Sequence, residues 1–232
     1  MVATRARHGL PLRQLHVLFA VFCAAPATAQ DAQSWNTLVA QGPIDGRVML
    51  WAEVQSRFTQ DAARLGVVIG RIGLGVRLKH DIDLHAGYQY QYDTPAPGIT
   101  RDEHRFWQQV TAPVLRRDNG FALITRWRLE ERTIVGANDL GWRLRMQWRV
   151  VQPLHGKGTA GPLVQSETFF ALNSTDWGAR SGFDQQRSFV GWLQPLSPHL
   201  NLEVGYMHQY LNRPGSNPGN HIINLTLNRR LG

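Results

Sequence analysis

The sequence predicts an all-β protein, a closed antiparallel up-and-down transmembrane β-barrel of about ten strands. Three observations lead there. The N-terminus carries the parts of an export signal. Stretches of about ten to fourteen residues then alternate between apolar and polar positions, the pattern of membrane-spanning strands. The polar face of those stretches is dense in arginine, glutamate and glutamine, whereas a soluble sandwich buries one apolar face and leaves the other variably polar.

The first element is the signal. Arg5, Arg7 and Arg13 form a basic start with no acidic residue near them. Leu15 to Ala25 is a short apolar run, and Ala27-Thr28-Ala29 places small residues where a signal peptidase cuts. The run is too short to cross a bilayer as a helix. Residues 1–29 are therefore expected to be removed before Gln30, leaving residues 30–46 as a lead-in with a partial strand at Trp35 to Ala40. Residues 47–232 would form the barrel. Cys23, the only cysteine, lies inside the signal, so the mature chain has no thiol for disulfides, metal binding or nucleophilic attack. Phe22 before it is too bulky for a lipoprotein signal.

The formal charge of +8 falls to +5 once the three signal arginines are gone, and almost all of the basicity is arginine, with Lys79 and Lys157 the only lysines. Nucleic-acid binding would call for clustering in a tail or on a helix. These arginines instead alternate with apolar residues along strands, so no nucleic acid is expected as a partner.

The strands follow in order. Val48, Leu50, Ala52 and Val54 oppose Trp51, Glu53, Gln55 and Arg57. Between Ala62 and Leu78 the apolar set runs Leu65, Val67, Ile69 and then Ile72, Leu74, Val76, which suggests a one-residue slip near Gly70. Gly70, Gly73 and Gly75 read as space-making strand residues, since neither a lysine nor a helix follows to make a phosphate loop. Ile82, Leu84, Ala86, Tyr88, Tyr90 and Tyr92 oppose Asp83, His85, Gln89 and Gln91. Phe121, Leu123, Trp127 and Leu129 oppose Arg126, Arg128, Glu130 and Arg132. The clearest case is Gly141 to Val151, where Trp142, Leu144, Met146, Trp148 and Val150 oppose Arg143, Arg145, Gln147 and Arg149. Near the end, Leu202, Val204 and Tyr206 oppose Asn201, Glu203 and Gln209, and Ile223, Leu225 and Leu227 oppose Asn224, Thr226 and Asn228. Tryptophan and tyrosine at segment ends suit an interfacial aromatic girdle.

Turn signals fall at Lys79-His80-Asp81, at Arg117 to Gly120 with its Asn-Gly pair, and at Pro195 to His199. Longer connections are expected at Asp93 to Thr100, Asn173 to Asp184 and Asn212 to Asn220. Short periplasmic turns alternating with long external loops give ten strands, the chain entering and leaving on the periplasmic side. The long connection at Gln152 to Gly161 and the short one at Thr59 to Asp61 resist that scheme, and twelve strands is the alternative count.

These motifs together resemble a bacterial family of unknown function, DUF2490, whose members are expected to be outer-membrane barrels. The residues behind the resemblance are Trp35, Glu53-Val54-Gln55-Ser56-Arg57-Phe58, Gly87-Tyr88 and His104-Arg105-Phe106-Trp107-Gln108-Gln109. Arg126 to Arg132, Arg143-Leu144-Arg145, Glu167, Gln186-Arg187 and Gly205-Tyr206-Met207 continue it over nearly the whole mature chain. The resemblance implies the barrel and supplies no reaction, cofactor or catalytic residue.

On the strands, one charge network should face the lumen: Glu53, Arg57, Arg105, Arg126, Arg128, Glu130, Arg132, Arg143, Arg145, Arg149, Glu167, Arg187 and Glu203. Buried charges must pair, and a small barrel is filled by side chains. A largely plugged lumen with a structural or surface-binding role is therefore expected, with narrow anion conduction as the sharper reading. The alternative is a lipid-modifying hydrolase. Ser188 and His208 fall on adjacent strands facing lipid, with Gln186 or Asn220 as the nearby third group, although no nucleophile-elbow pattern is present. His104 reads as a strand-end interfacial residue. The histidines are scattered, and Asp83 with His85 is too small a set for a metal, so neither metal nor cofactor is expected. The expected partners are outer-membrane lipid and, in transit, periplasmic chaperones and the barrel assembly machinery, with the protein a monomer in a Gram-negative outer membrane.

Overall fold

A computed structural model of the chain describes residues 29–215 and 217–232. The expected signal peptide lies outside the described residues as far as residue 28. Eleven strands follow one another: β1 (Ala29–Asp45), β2 (Val48–Thr59), β3 (Arg64–Arg77), β4 (Asp83–Ala96), β5 (Ile99–Arg116), β6 (Ala122–Ile134), β7 (Gly141–Val151), β8 (Gly161–Ala171), β9 (Gly182–Ser197), β10 (Leu200–Leu211) and β11 (Gly219–Arg230). A single 3-10 turn at Lys79–Asp81 is the one helical element among the described residues. Each strand pairs antiparallel with the next, and β1 pairs with β11 to close the barrel. Every strand has at least 11 residues, enough for a tilted crossing of a bilayer core.

The count is eleven, not ten or twelve, because the expected lead-in is a full strand. β1 has 17 residues and runs parallel to β11, Asp31 to Gln41 lying in register with Asn220 to Arg230. An odd number of consecutive antiparallel strands leaves the first and last pointing the same way, so the closing pair has to be parallel. The start of β1 and the end of β11 consequently sit at opposite rims: Ala29 beside Gly219, and Leu231 hydrogen-bonded to the Gln41 carbonyl. The expectation of both ends on one side fails for the same reason. The sequence hid β1 because its outward positions include Ser34 and Asn36 as well as Leu38, which blurs the two-face contrast.

Other details depart from expectation. The long connection placed at Asp93 to Thr100 is a tight hairpin, since β4 extends to Ala96 and β5 begins at Ile99. The tight turn expected at Pro195 to His199 is present, narrowed to Pro198 and His199 between β9 and β10. The longer connections, 152–160 and 172–181, lie at opposite rims, so loop length does not separate the two ends. In β3 the slip sits at Gly66, opposite the Arg57/Phe58 step, and not near Gly70. From Val67 to Arg77 the pairing is unbroken, with Val67 and Ile69 pointing inward among polar neighbours; these two inward apolar residues imitate a change of phase.

The distribution of side chains is inverted relative to a water-soluble barrel. The buried set contains 18 polar or charged residues against 12 hydrophobic ones. Leu38, Ile72, Leu74, Phe106 and Val190 are among the large hydrophobics exposed outside. So continuous an apolar exterior marks an interaction surface. Trp127, Trp148 and Trp192 project outward toward the rim that carries Gly232, and Tyr90, Tyr92 and Phe183 toward the other. The indoles of Trp127 and Trp192 donate to Thr125 and Gln194, giving their polar edges partners.

Large inward aromatics need room, and glycine supplies it. Gly73 and Gly87 face each other across β3 and β4, and Trp107 follows in the same row on β5. A Cβ on either glycine would approach to 2.5 Å from the Trp107 ring. Phe189 lies the same way against Gly191 and Gly205, which also pair directly. Gly87→Ala is expected to overpack this wall and cost about 1–3 kcal/mol, read as a lowered urea midpoint in refolding lipid; an unchanged midpoint would show that the ring has space to move.

Candidate functional site

The site is the lumen, built from alternate residues of every strand. Glu130 of β6 sits at its centre and accepts from the Nε and Nη2 of Arg143 at 2.9 and 2.5 Å and from Nη1 of Arg145 at 2.7 Å. Arg145 reaches on to Glu167 of β8 with two bonds at 3.1 and 2.8 Å, and Arg126 joins that carboxylate at 2.9 Å. Glu103 of β5 accepts from Arg105 at 2.7 and 2.9 Å and from Arg132 at 2.5 Å. Arg105 also lies 4.0 Å from Glu130, linking the two groups. Toward the Gly232 rim, Arg149 grips Glu203 with both terminal nitrogens at 3.0 and 2.8 Å. Glu53 takes Arg71 at 2.5 Å and the Trp51 indole at 3.2 Å.

Guanidinium forks make this possible, since one carboxylate can serve two of them and each fork can serve two carboxylates. All thirteen charged residues singled out from alternation point into the barrel, and ten belong to ion pairs of this kind. The other three have no carboxylate of the described residues within 4.0 Å. Arg128 is bonded by Nε and Nη2 to Gln109 and lies over the Trp107 and Trp51 rings. Arg57 donates to Gln55 at 2.7 Å and lies 3.9 Å from the Trp35 ring centroid. Arg187 lies 4.8 Å from Trp35 and 4.6 Å from Phe169.

Sequence reasoning did not single out Arg71, which lies beside the slip it placed near Gly70, although alternation with Ile72, Leu74 and Val76 already puts it inward. It also missed the pairs Arg101–Asp93 and Arg77–Asp83. Their signal was present: each member falls on the inward parity of its strand. The lumen contains a cavity of about 1190 Å³, lined by fifteen arginines and eight carboxylates and reaching residues near both rims, Arg213 at one and Arg230 at the other. Trp177 in the 172–181 connection lies over Arg132 at 4.8 Å. A reciprocal clasp holds that connection: Asp176 accepts from the Asn138 and Asp139 amides, and Asp139 accepts from the Asp176 amide.

The hydrolase alternative gains nothing from the geometry. Ser188 and His208 are register partners and both face outward. Among the described residues no hydrogen bond joins them. Asn220 points into the lumen toward Gln209, and Gln186 is engaged with Ser166 and Thr168. His208 therefore lacks an orienting acid; its ring neighbour is His221, 5.5 Å away. His104 faces outward, its Nδ1 2.5 Å from the Tyr88 hydroxyl. Among the described residues no group of three or more candidate metal ligands occurs.

The profile of one protein family, described as a protein of unknown function (DUF2490), matches residues 32–220. That is most of the chain, from β1 to β11. The chain belongs to DUF2490. An uncharacterized protein of Methylorubrum extorquens is similar to it, 31% identical over 225 residues, covering 93% of this chain and 98% of that protein. No solved structure matches. The DUF2490 match takes in all thirteen charged lumen residues and the cavity's central wall.

Two expectations follow from the network. Glu130→Gln in this DUF2490 barrel would leave Arg143 and Arg145 facing each other across a buried site. Removing one partner of a buried pair costs about 3–5 kcal/mol, so the unfolding midpoint should drop clearly. The outward-facing Glu131→Gln should cost under about 1 kcal/mol, and equal losses would contradict the hub role of Glu130. The clasp gives a pH dependence. The Asn138 and Asp139 amides hold the Asp176 carboxyl below the ordinary aspartate value of 3.8. A lowered folded-state value means stabilisation present above 3.8 and lost as pH falls through the folded-state value. The Asn138 amide resonance should therefore shift with a midpoint below 3.8; a midpoint at or above it would remove the clasp.

Proposed function

We propose that this protein is an outer-membrane β-barrel whose arginine-rich interior gives small anions a polar route or residence within the wall. The observation that carries the reading is the cation excess of the cavity, fifteen arginines to eight carboxylates in about 1190 Å³. Rings of one charge sign set selectivity in pores, and low-dielectric walls focus the field of unpaired charge. The apolar exterior, the two outward aromatic bands and the N-terminal export signal support membrane residence.

A second reading has its own support. The ion pairs centred on Glu130, Glu103 and Glu167 tie neighbouring strands together, as expected of a filled, purely structural lumen with a surface-binding role. On either reading the chain works as a monomer in outer-membrane lipid, delivered by periplasmic chaperones and the barrel assembly machinery.

Conductance separates the two. Refolded protein in a planar bilayer under a salt gradient should give discrete events with an anion-selective reversal potential. Arg180, a cavity-lining residue of the 172–181 connection, is outside the ion-pair network, and Arg180→Glu should move that potential toward cation selectivity. A folded, heat-shiftable barrel that stays silent would favour the filled lumen.

A further inference from the structure

The lumen handles its arginines in two ways. Ten of the thirteen charged residues first read from the sequence are joined in ion pairs, arginine to glutamate. Arg57, Arg128 and Arg187 are not, and of these three Arg57 and Arg187 approach the same indole. Their guanidinium carbons lie 3.9 and 4.8 Å from the centroid of Trp35, which holds them within about 9 Å of each other. Arg57 comes from β2, directly opposite Trp35 in register, and Arg187 comes from β9 on the other side of the parallel seam.

Neither guanidinium has a carboxylate of the described residues within 4.0 Å. Arg57 spends its Nε on Gln55, and its terminal nitrogens bond no described residue. The Arg187 side chain donates to none of the described residues, and its Nε is buried without a partner. Both line the cavity, together with Trp35 and Phe169. Arg145 and Arg143 lie over the same Phe169 ring at 4.7 and 5.3 Å, but they are held by Glu130 and Glu167, so the carboxylates nearest this wall are already engaged.

Two like charges held on one aromatic ring repel, and burial raises the cost of leaving them uncompensated. The aromatic faces orient the forks without neutralising them. We infer that Arg57 and Arg187, flanking Trp35, form a binding site for a doubly charged tetrahedral oxyanion of the phosphate class. A tetrahedral dianion offers oxygens to two forks approaching from different sides, each at ordinary charge-assisted distances. A monocarboxylate can satisfy only one fork bidentately and neutralise one charge. The site deepens the anion reading of the lumen and rests on the cavity being reachable from solution.

The experiment is calorimetric titration of the detergent-refolded full mature barrel with inorganic phosphate, sulfate and acetate at pH 8 and constant ionic strength. Phosphate and sulfate should bind at one site at least tenfold more tightly than acetate. Arg57→Gln and Arg187→Gln should each weaken phosphate at least tenfold. Arg117→Gln, a change in an exposed turn outside the cavity, should leave binding unaltered, and the heat-shifted mobility of each variant would show that it folds. Phosphate binding no tighter than acetate, or binding that survives both substitutions, would overturn the site. A phosphomonoester of a lipid headgroup added to the same titration separates the sources: tighter binding than free phosphate points to a headgroup, equal binding to the free ion. Conduction fails separately, since a silent barrel that still binds phosphate keeps the site, and a conducting barrel without binding loses the site alone.

Discussion

Closure of the sheet is the constraint on which the rest of this barrel depends. A sheet with a free edge exposes a row of unpaired amides and carbonyls, a template for pairing with another chain. With eleven strands the last edge can be closed only by a parallel ladder between β1 and β11. Parallel pairing is slightly weaker per residue than antiparallel. The seam answers with length, Asp31 to Gln41 pairing without interruption, and with the Leu231 amide extending the ladder one bond further. The small residue Gly42 lets that last approach happen, because a Cβ there would run into the Leu231 backbone.

Closure in turn defines an inside that must accept charge. Each ion taken from water into a protein interior costs several kcal/mol before pairing, so the interior is tenable only as a network. The near absence of lysine fits that demand. A lysine offers a single compact charge, whereas an arginine fork spreads donors over two acceptors. Arg145 bridging Glu130 and Glu167 is the case in point, joining residues 15 and 22 positions away in sequence. The aromatic rings do complementary work. Trp107, set against two glycines, gives Arg128 a face to lie on in place of a carboxylate.

How much of this was legible depended on contrast between the two faces of a strand. In β7 the faces are tryptophan and leucine against arginine, and the reading of Arg143, Arg145 and Arg149 as one inward set follows from period two alone. β3 has less contrast, with Val67 and Ile69 inward and Gly70 outward, and Arg71 went unassigned beside the misplaced slip. β1 has least: Gln33, Thr37 and Gln41 share the inside with Trp35 and Val39, while Ser34 and Asn36 share the outside with Leu38. A strand whose two faces are alike in polarity has no amphipathic signature, so its existence was readable only as a fragment. Losing one strand then changed the parity of the count, the relative direction of the closing pair and the rim at which the first strand begins.

Pairing was the level that period two does not reach. Alternation tells which residues share the lumen, but the partner of each is chosen by the stagger of the closed barrel. Arg126 finds Glu167 across β7, and Arg149 finds Glu203 from 54 residues away. The same stagger decides which arginines are left without a carboxylate: Arg128, whose fork is held by Gln109, and the pair Arg57 and Arg187. Arg57 and Arg187 both meet at Trp35, a residue of the strand with the weakest sequence signature. The strand that closes the barrel thus also carries the ring at which two of its unpaired arginines meet. Both features have one origin, since β1 brings Trp35 between β2 and β11 without contributing a glutamate of its own.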